Sequence, residues 1–390
     1  MKFKLLPWFG LLCISALAHA GSDAQYQIHG FAAQGLAWSD GNNAYGESTD
    51  GSLKYYELGL NGRWSASDWL SLSAQGLARR AGASDDGHAR LDFAFLDLQP
   101  IRQLDWQAGA RLGRVKNPHG FYNETRDVAF TRPSIALPNS IYADGQGLRG
   151  YMFSVDGAQL YSQHTHGEHF SSVLVNLAPD YEVDEQDDRA LLGRFARFSD
   201  AGDFQVRDFL RAQLLNEWFS GRWRTALSYF SGQLDFYSRN GKFRAEQQIN
   251  LGIVSVGYRA QRFAVTAEYQ RTWTDILFVS SNTRIDTQVV SDGAYIQADW
   301  LIDPRWTAFI RADSRFNDAK DRDGRGSNDR YRQFAHDLVL GGHWQPSRHW
   351  GVWAEVHQTY GTANVPQQDN EGRTLDPHWT LVLLMAGYRF

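Results

Sequence analysis

Apolar side chains recur at every second position through most of this chain. Trp306, Ala308, Ile310 and Ala312 alternate with Thr307, Phe309, Arg311 and Asp313. Phe263, Val265, Ala267 and Tyr269 alternate with Ala264, Thr266, Glu268 and Gln270. Trp350, Val352, Ala354 and Val356 alternate with Gly351, Trp353, Glu355 and His357. Successive residues of a β-strand point to opposite faces, so each stretch predicts a strand with one apolar and one largely polar face. The final stretch, His378–Phe390, puts Thr380, Val382, Leu384, Ala386 and Tyr388 on one face, ending in the aromatic Phe390, while Arg389 falls on the other. The best continuous apolar run past the N-terminus is only Leu381–Gly387. A membrane-crossing helix needs roughly 20 apolar residues in a row, so none is expected.

The predicted strands are joined by two kinds of connection. Ser65–Asp68, Ala260–Gln261, Asp303–Arg305 and Pro346–Arg348 are short. Ser39–Leu53, Asn117–Gly147, Phe236–Gln247, Ile276–Val289, Asn317–Arg332 and Thr362–Pro377 are long and rich in Gly, Asp, Asn and Ser. Aromatics bracket the short turns: Trp64 and Trp69, Trp218 and Trp223, Tyr258 and Phe263, Trp300 and Trp306, Trp344 and Trp350. Trp and Tyr favour a membrane–water interface, where the ring is buried and its polar edge stays wet. A soluble sandwich has no reason to repeat them at one end of its strands. The expected fold is all-β: a transmembrane antiparallel up-and-down β-barrel with short periplasmic turns and long extracellular loops. The strand number is even, 16 or 18, with a count of 18 if Val155-Asp156-Gly157-Ala158 is a tight hairpin. No linker interrupts the pattern, so residues 21–390 form one domain.

Residues 1–20 read as a cleaved signal peptide. Lys2 and Lys4 precede an apolar Leu5–Leu17, and Ala18-His19-Ala20 is a small-x-small site. Cys13 is the only cysteine, so the mature chain has no disulfide, thiolate metal site or cysteine nucleophile. Removing the leader's lysines from 39 basic residues against 44 acidic ones leaves 37, a net of −7, which argues against a nucleic-acid partner. The basic residues are mostly arginine. A guanidinium stays charged in partly desolvated places and forks onto carboxylates and phosphates, so arginine on the walls of a narrow aqueous lumen fits.

The segment Leu112–Tyr142 is the most distinctive. Gly113, Lys116, Pro118 and Gly120 lie at a strand end, followed by Phe130, Arg132, Pro133 and Ser134. Pro118, Pro133 and Pro138 restrict the backbone, and Phe121, Tyr122 and Phe130 predict that the loop packs. These motifs resemble the phosphate-selective porin O/P-like group and related proteobacterial porins, over about thirty residues. The chain's aromatic C-terminus likewise resembles the closing strand of Gram-negative outer-membrane barrels. The resemblance implies an outer-membrane porin passing small hydrophilic solutes, with anions as candidates, and with residues 117–147 folded inward as a constriction. It also implies that the barrel-assembly machinery reads the strand ending at Phe390. Carried over, Lys116, Glu124, Arg126, Asp127 and Arg132 are candidates for the constriction. Arg79, Arg111, Arg211, Arg224, Arg311 and Arg315, all on predicted inward faces, are candidates for the opposite wall. Such an arrangement sets up a transverse field; the alternative is that Arg126 and Asp127 pin the loop through ion pairs. Four mature lysines (Lys54, Lys116, Lys242, Lys320) and wall acids such as Glu57, Asp92, Glu217, Glu268, Asp299 and Asp313 weigh against strict phosphate specificity.

His164, His166, Glu168 and His169 have metal-compatible chemistry but read as a polar hairpin tip. The acids Asp180, Glu182, Asp184, Glu185, Asp187 and Asp188 lack the glycine and spacing of a calcium loop. No Gly-x-Ser-x-Gly nucleophile motif stands out, so neither an enzyme nor a cofactor is expected. A lipid bilayer with lipopolysaccharide is the expected surrounding. Flat apolar strand faces suit lipid or a neighbouring subunit, which leaves a homotrimer open. A non-conducting barrel for adhesion or envelope structure, and a barrel hydrolase, are the alternatives.

Overall fold

The computed structural model describes residues 25–143, 152–183 and 202–390. The expected leader and most of the acidic run lie outside them. The strands are β1 (Tyr26–Ser39), β2 (Ser52–Ser67), β3 (Leu70–Ala81), β4 (Asp86–Arg102), β5 (Trp106–Lys116), β6 (Ser154–His166), β7 (His169–Leu177), β8 (Tyr181–Glu182) and β9 (Gly202–Trp218). They continue with β10 (Trp223–Ser238), β11 (Phe243–Arg259), β12 (Phe263–Ser280), β13 (Arg284–Asp303), β14 (Trp306–Phe316), β15 (Phe334–Trp344), β16 (Trp350–Gly361) and β17 (His378–Arg389). All 17 belong to one antiparallel sheet, closed by pairing of β1 with β17. β8 only continues β7 along β9 beyond Pro179, so the closed barrel has 16 walls rather than 18.

The count of 18 fails at Val155–Ala158. Gly157 lies within β6, facing Gly113 across the β5–β6 ladder, and a Cβ there would meet the Leu177 carbonyl at 2.1 Å. The glycine serves close strand approach, not a turn. Two expected long loops are also strands. β10 and β11 run through all but Arg239–Lys242 of Phe236–Gln247, and β12 and β13 leave only residues 281–283 between them.

The alternation follows the sequence. Trp306, Ile310, Trp350, Val352 and Val356 are exposed on the outer face, while Phe309, Arg311, Asp313, Glu355 and His357 are buried inside. Aromatics gather at the short-turn end: Trp64, Trp69, Trp223, Phe263, Trp300, Trp306 and Trp350 are exposed there. Trp306 and Trp344 stack across β14–β15 with centroids 5.5 Å apart. The run Leu381–Gly387 is continuous because β17 is apolar on both faces. Val382 and Leu384 point out. Leu381, Leu383 and Met385 are buried inside against Ile135, Ala136 and Trp353.

At the long-loop end the connections beside the seam are stapled together. Asn43 and Asn370 exchange bonds, Asn43 N to Asn370 Oδ1 at 2.9 Å and Asn370 Nδ2 to Asn43 O at 2.8 Å. Asn42 and Asp376 do the same at 2.7 and 2.8 Å. Such side-chain amides satisfy backbone groups that the ladder leaves open.

Candidate functional site

The segment after β5 leaves the wall at Lys116 and lies against inward-pointing side chains of distant strands. Gly113 lets β5 approach β4 closely, and Gly120 makes the exit sterically feasible. Both have positive φ, and a Cβ on Gly120 would fall 2.4 Å from Tyr142 Oη and 2.7 Å from Glu268. Phe121 N then donates to Glu268 of β12 at 2.9 Å, and Tyr142 Oη and Tyr295 Oη donate to the same carboxylate at 2.6 and 2.7 Å. Arg132 reaches Glu57 of β2, Ile135 and Ala136 donate backbone N–H groups to Glu355 of β16, and Arg311 of β14 donates to Ser134 Oγ at 3.0 Å. Buried carboxylates of β2, β12 and β16 thus act as acceptors for the loop. Each fills lone pairs that burial would otherwise leave unsatisfied.

The residues expected at a constriction divide into two sets. Lys116, Arg126, Asp127, Arg132, Arg79, Arg211 and Arg311 are buried. Lys116 bridges Asp92 at 2.7 Å and also binds Asp127. Arg126 lies 3.6 Å over the Phe153 ring and donates to Tyr142 O. Arg79 joins Glu57 at 3.3 Å and Asp85 at 3.1 Å. Arg211 donates to His119 Nδ1 at 2.9 Å and stacks on Phe230. Asp127 forms an ion pair of the kind foreseen as the alternative, and ring and carbonyl contacts also hold Arg126.

Glu124, Arg111 and Arg224 form the second set, with Arg315 half-buried. Water reaches Glu124 although protein surrounds it. That enclosure raises its pKa, and the charges of Arg111, Arg224 and Lys116 oppose the rise. Arg111 is flanked by the Phe95 and Tyr161 rings at 5.2 and 4.8 Å and reaches Asp97 at 3.4 Å. Arg224 covers Phe121 at 4.5 Å and pairs with Glu217 at 3.2 Å. The Arg111 and Arg224 side chains are 26% and 37% exposed. Stacking fixes their planes while leaving edge N–H groups toward the lumen. Beside Arg111, Phe93, Phe95 and Asp97 of β4 are partly buried.

Sequence reasoning missed Glu57, Glu268 and Glu355 as loop acceptors. Their only signal was an acid on an inward face, which wall and loop acids share. It also missed His119. Its Nε2 donates to Ile141 O at 2.8 Å and its Nδ1 accepts from Arg211. Burial, then the charge of Arg211, lowers its pKa to about 3, so the ring is neutral. His164, His166 and His169 occupy a tight β6–β7 turn at the short-turn end, as expected of a hairpin tip. Among the described residues no group of three or more His, Cys, Asp or Glu side chains is placed to hold a metal ion.

No protein family matches the sequence, and no curated protein does. Solved structures do resemble the fold. Salmonella typhi OmpF, solved with daunomycin, is 12% identical with a TM-score of 0.56, covering 94% of this chain and 97% of its own. An anion-selective porin from Comamonas acidovorans is 12% identical with a TM-score of 0.54, covering 94% and 99%. The outer-membrane channel DcaP of Acinetobacter baumannii is 11% identical with a TM-score of 0.50, covering 94% and 97%. The chain has a porin-like barrel fold. At these identities the likeness carries the fold and nothing finer. The porin-type wall and the inward segment provide the frame on which Glu124, Arg111 and Arg224 face the lumen.

Proposed function

We propose that this protein is a passive outer-membrane channel for small hydrophilic solutes, with residues 117–147 as its constriction and only a weak preference for charge. The observation that carries the reading is the uneven use of the inner wall. The segment 117–143 is bound to inward side chains of β2, β12, β14 and β16, whereas Phe93, Phe95, Asp97 and Arg111 of β4 and β5 stay only partly buried. Solute would pass between the Glu124 edge of the loop and that arc.

Arg111 and Arg224 on one side and Glu124 on the other polarise the passage. Each arginine has a carboxylate at its back, Asp97 and Glu217, so the net field on a passing ion is small. Seven of the eleven candidate residues are spent on holding the loop rather than on meeting solute. Transit needs no cofactor, energy input or covalent step in this reading. Residues 1–20 direct export, and the β17 strand serves as the assembly signal.

Planar-bilayer recording of the refolded protein tests the proposal. Discrete conductance steps with a modest reversal potential under a salt gradient are expected. A correctly folded barrel that gives no steps would overturn it.

A further inference from the structure

The outer face departs from its apolar rule on β12–β14. Arg271 points outward between Tyr269 and Trp273, which are each 39% exposed. Its cross-strand neighbour Asp292 also faces outward, yet is buried. Three groups cover that carboxylate. Tyr269 Oη donates to Oδ1 at 2.9 Å, Arg322 Nη2 to Oδ2 at 2.7 Å, and Arg271 Nε stands 3.7 Å from Oδ1. Arg322 lies 4.9 Å over Phe316 and Arg271 5.6 Å from Trp273. Both guanidiniums remain open, their side chains 42% and 56% exposed for Arg271 and Arg322.

Two guanidiniums on one carboxylate leave a net positive charge with oriented, unused N–H donors. Aromatic rings fix the planes, so little freedom remains to be lost on binding an anion. The height of the site decides which anion it meets. Asp292 is eight residues along β13 from Trp300 of the aromatic belt. At about 3.4 Å per residue and a tilt of about 40°, that places it roughly 20 Å above the belt, at the far edge of an apolar band about 25 Å tall. Lipid phosphates lie at that edge. Outward Ser314, two residues from Phe316, begins a groove of about 520 Å³ that continues past His336, Gln358, Tyr360 and Thr380. Its polar groups pair along the wall, Ser314 Oγ with His336 Nδ1 at 2.9 Å, Gln358 Nε2 with Thr380 Oγ1 at 2.9 Å and Thr380 Oγ1 with Asp40 at 2.7 Å, which makes this stretch of outer face more compatible with sugar hydroxyls than with hydrocarbon.

We propose that Arg271 and Arg322, scaffolded by Asp292 and Tyr269, bind the phosphate of an outer-leaflet glycolipid. The proposal rests on the reading that the barrel sits in the outer membrane with its long loops outward.

The test measures binding of bis-phosphorylated lipid A, its dephosphorylated form and inorganic phosphate to the detergent-folded protein by native mass spectrometry and thermal shift. Lipid A is expected to bind and raise the melting midpoint, and the dephosphorylated form to bind at least tenfold more weakly. The double variant Arg271→Ala/Arg322→Ala is expected to lose that difference while keeping wild-type conductance. Three results would overturn the proposal: equal binding of both lipids, equal binding by the variant, or a shift by inorganic phosphate matching that by lipid A. A variant that dissociates from an oligomer in lipid-free detergent would assign the face to a second copy instead. Conductance is read separately, so a silent barrel that still binds lipid A would refute the channel and leave this site standing.

Discussion

Arg132 forks onto Glu57, with Nη1 2.8 Å from Oε1 and Nη2 2.9 Å from Oε2, and both side chains are buried. The loop residue and the β2 residue form the two-pronged pair that a guanidinium and a carboxylate make best. Nε of Arg132 donates to Ser134 O and Nη1 also to Arg126 O, so the same side chain sets the loop's own turn. Removing one member strands a buried charge, which costs about 3–5 kcal/mol. Glu57→Gln is therefore expected to lower the temperature at which the folded gel band converts to the unfolded one, and to add flicker to the open channel. An unchanged midpoint together with quiet openings would mean that the loop is held without this pair.

Selectivity is expected to follow the wet residues, not the buried ones. Glu124→Gln removes the loop's exposed carboxylate opposite Arg111 and Arg224. In a potassium chloride gradient the reversal potential should move toward the chloride equilibrium value. Arg111→Gln should move it the other way, because the Asp97 carboxylate then loses the Arg111 charge that offsets it. Arg311→Gln is expected to leave the potential in place and reduce thermal stability, since Arg311 is buried against Ser134 and Gln297. Should Arg311→Gln shift the potential as far as Arg111→Gln, the division between wet and buried cations would fail.

His119 links the loop to acid stability. Burial and Arg211 lower its pKa from 6.5 to about 3. The unfolded chain then binds a proton that the folded one refuses between those values. The stability it contributes is complete above pH 6.5 and falls with pH toward 3, by on the order of 1 kcal/mol per unit. His119→Gln keeps an amide donor and acceptor but cannot titrate. Between pH 6.5 and 4.5 its melting midpoint should fall less steeply than that of the wild type. Parallel slopes would show that His119 is not the group responsible.

The barrel was legible because a wall between lipid and water forces period two, and because aromatics gather where the wall meets the interface. The strand ends were less legible. Beyond the apolar band, Asp235, Arg244 and Glu246 face outward while Leu234 and Phe236 pack inside. The polarity of the two faces is exchanged there, and a polar outward residue reads as loop. The arginines were legible as inward but not as buried. Arg79, Arg211 and Arg311 owe their burial to Glu57, His119 and Ser134, which lie in other strands or in the loop. Spacing along the chain carries no record of such partners. Glu124 was found because its loop had a motif, yet its exposure depends on where the loop turns back.

The terminal residue makes a last test of how the sheet closes. Phe390 N donates to Gly30 O at 3.0 Å, and Gly30 N donates to Phe390 O at 3.3 Å. The ring of Phe390 lies over Gly30 so closely that a Cβ there would sit 2.5 Å from Cζ. Glycine leaves the floor on which the closing aromatic rests, one step from the short-turn rim and beside the start of β1. Gly30→Val would push the ring off and strain the β1–β17 ladder, at about 1–3 kcal/mol for overpacking. Phe390→Ala removes the ring while leaving the backbone pair intact. Both variants are expected to fold more slowly into detergent or vesicles, with Gly30→Val also melting at a lower temperature. In the double variant the two effects should fall short of their sum, because each removes the same contact. Full additivity would show that Phe390 and Gly30 act independently, and would take the ring out of the closure of the barrel.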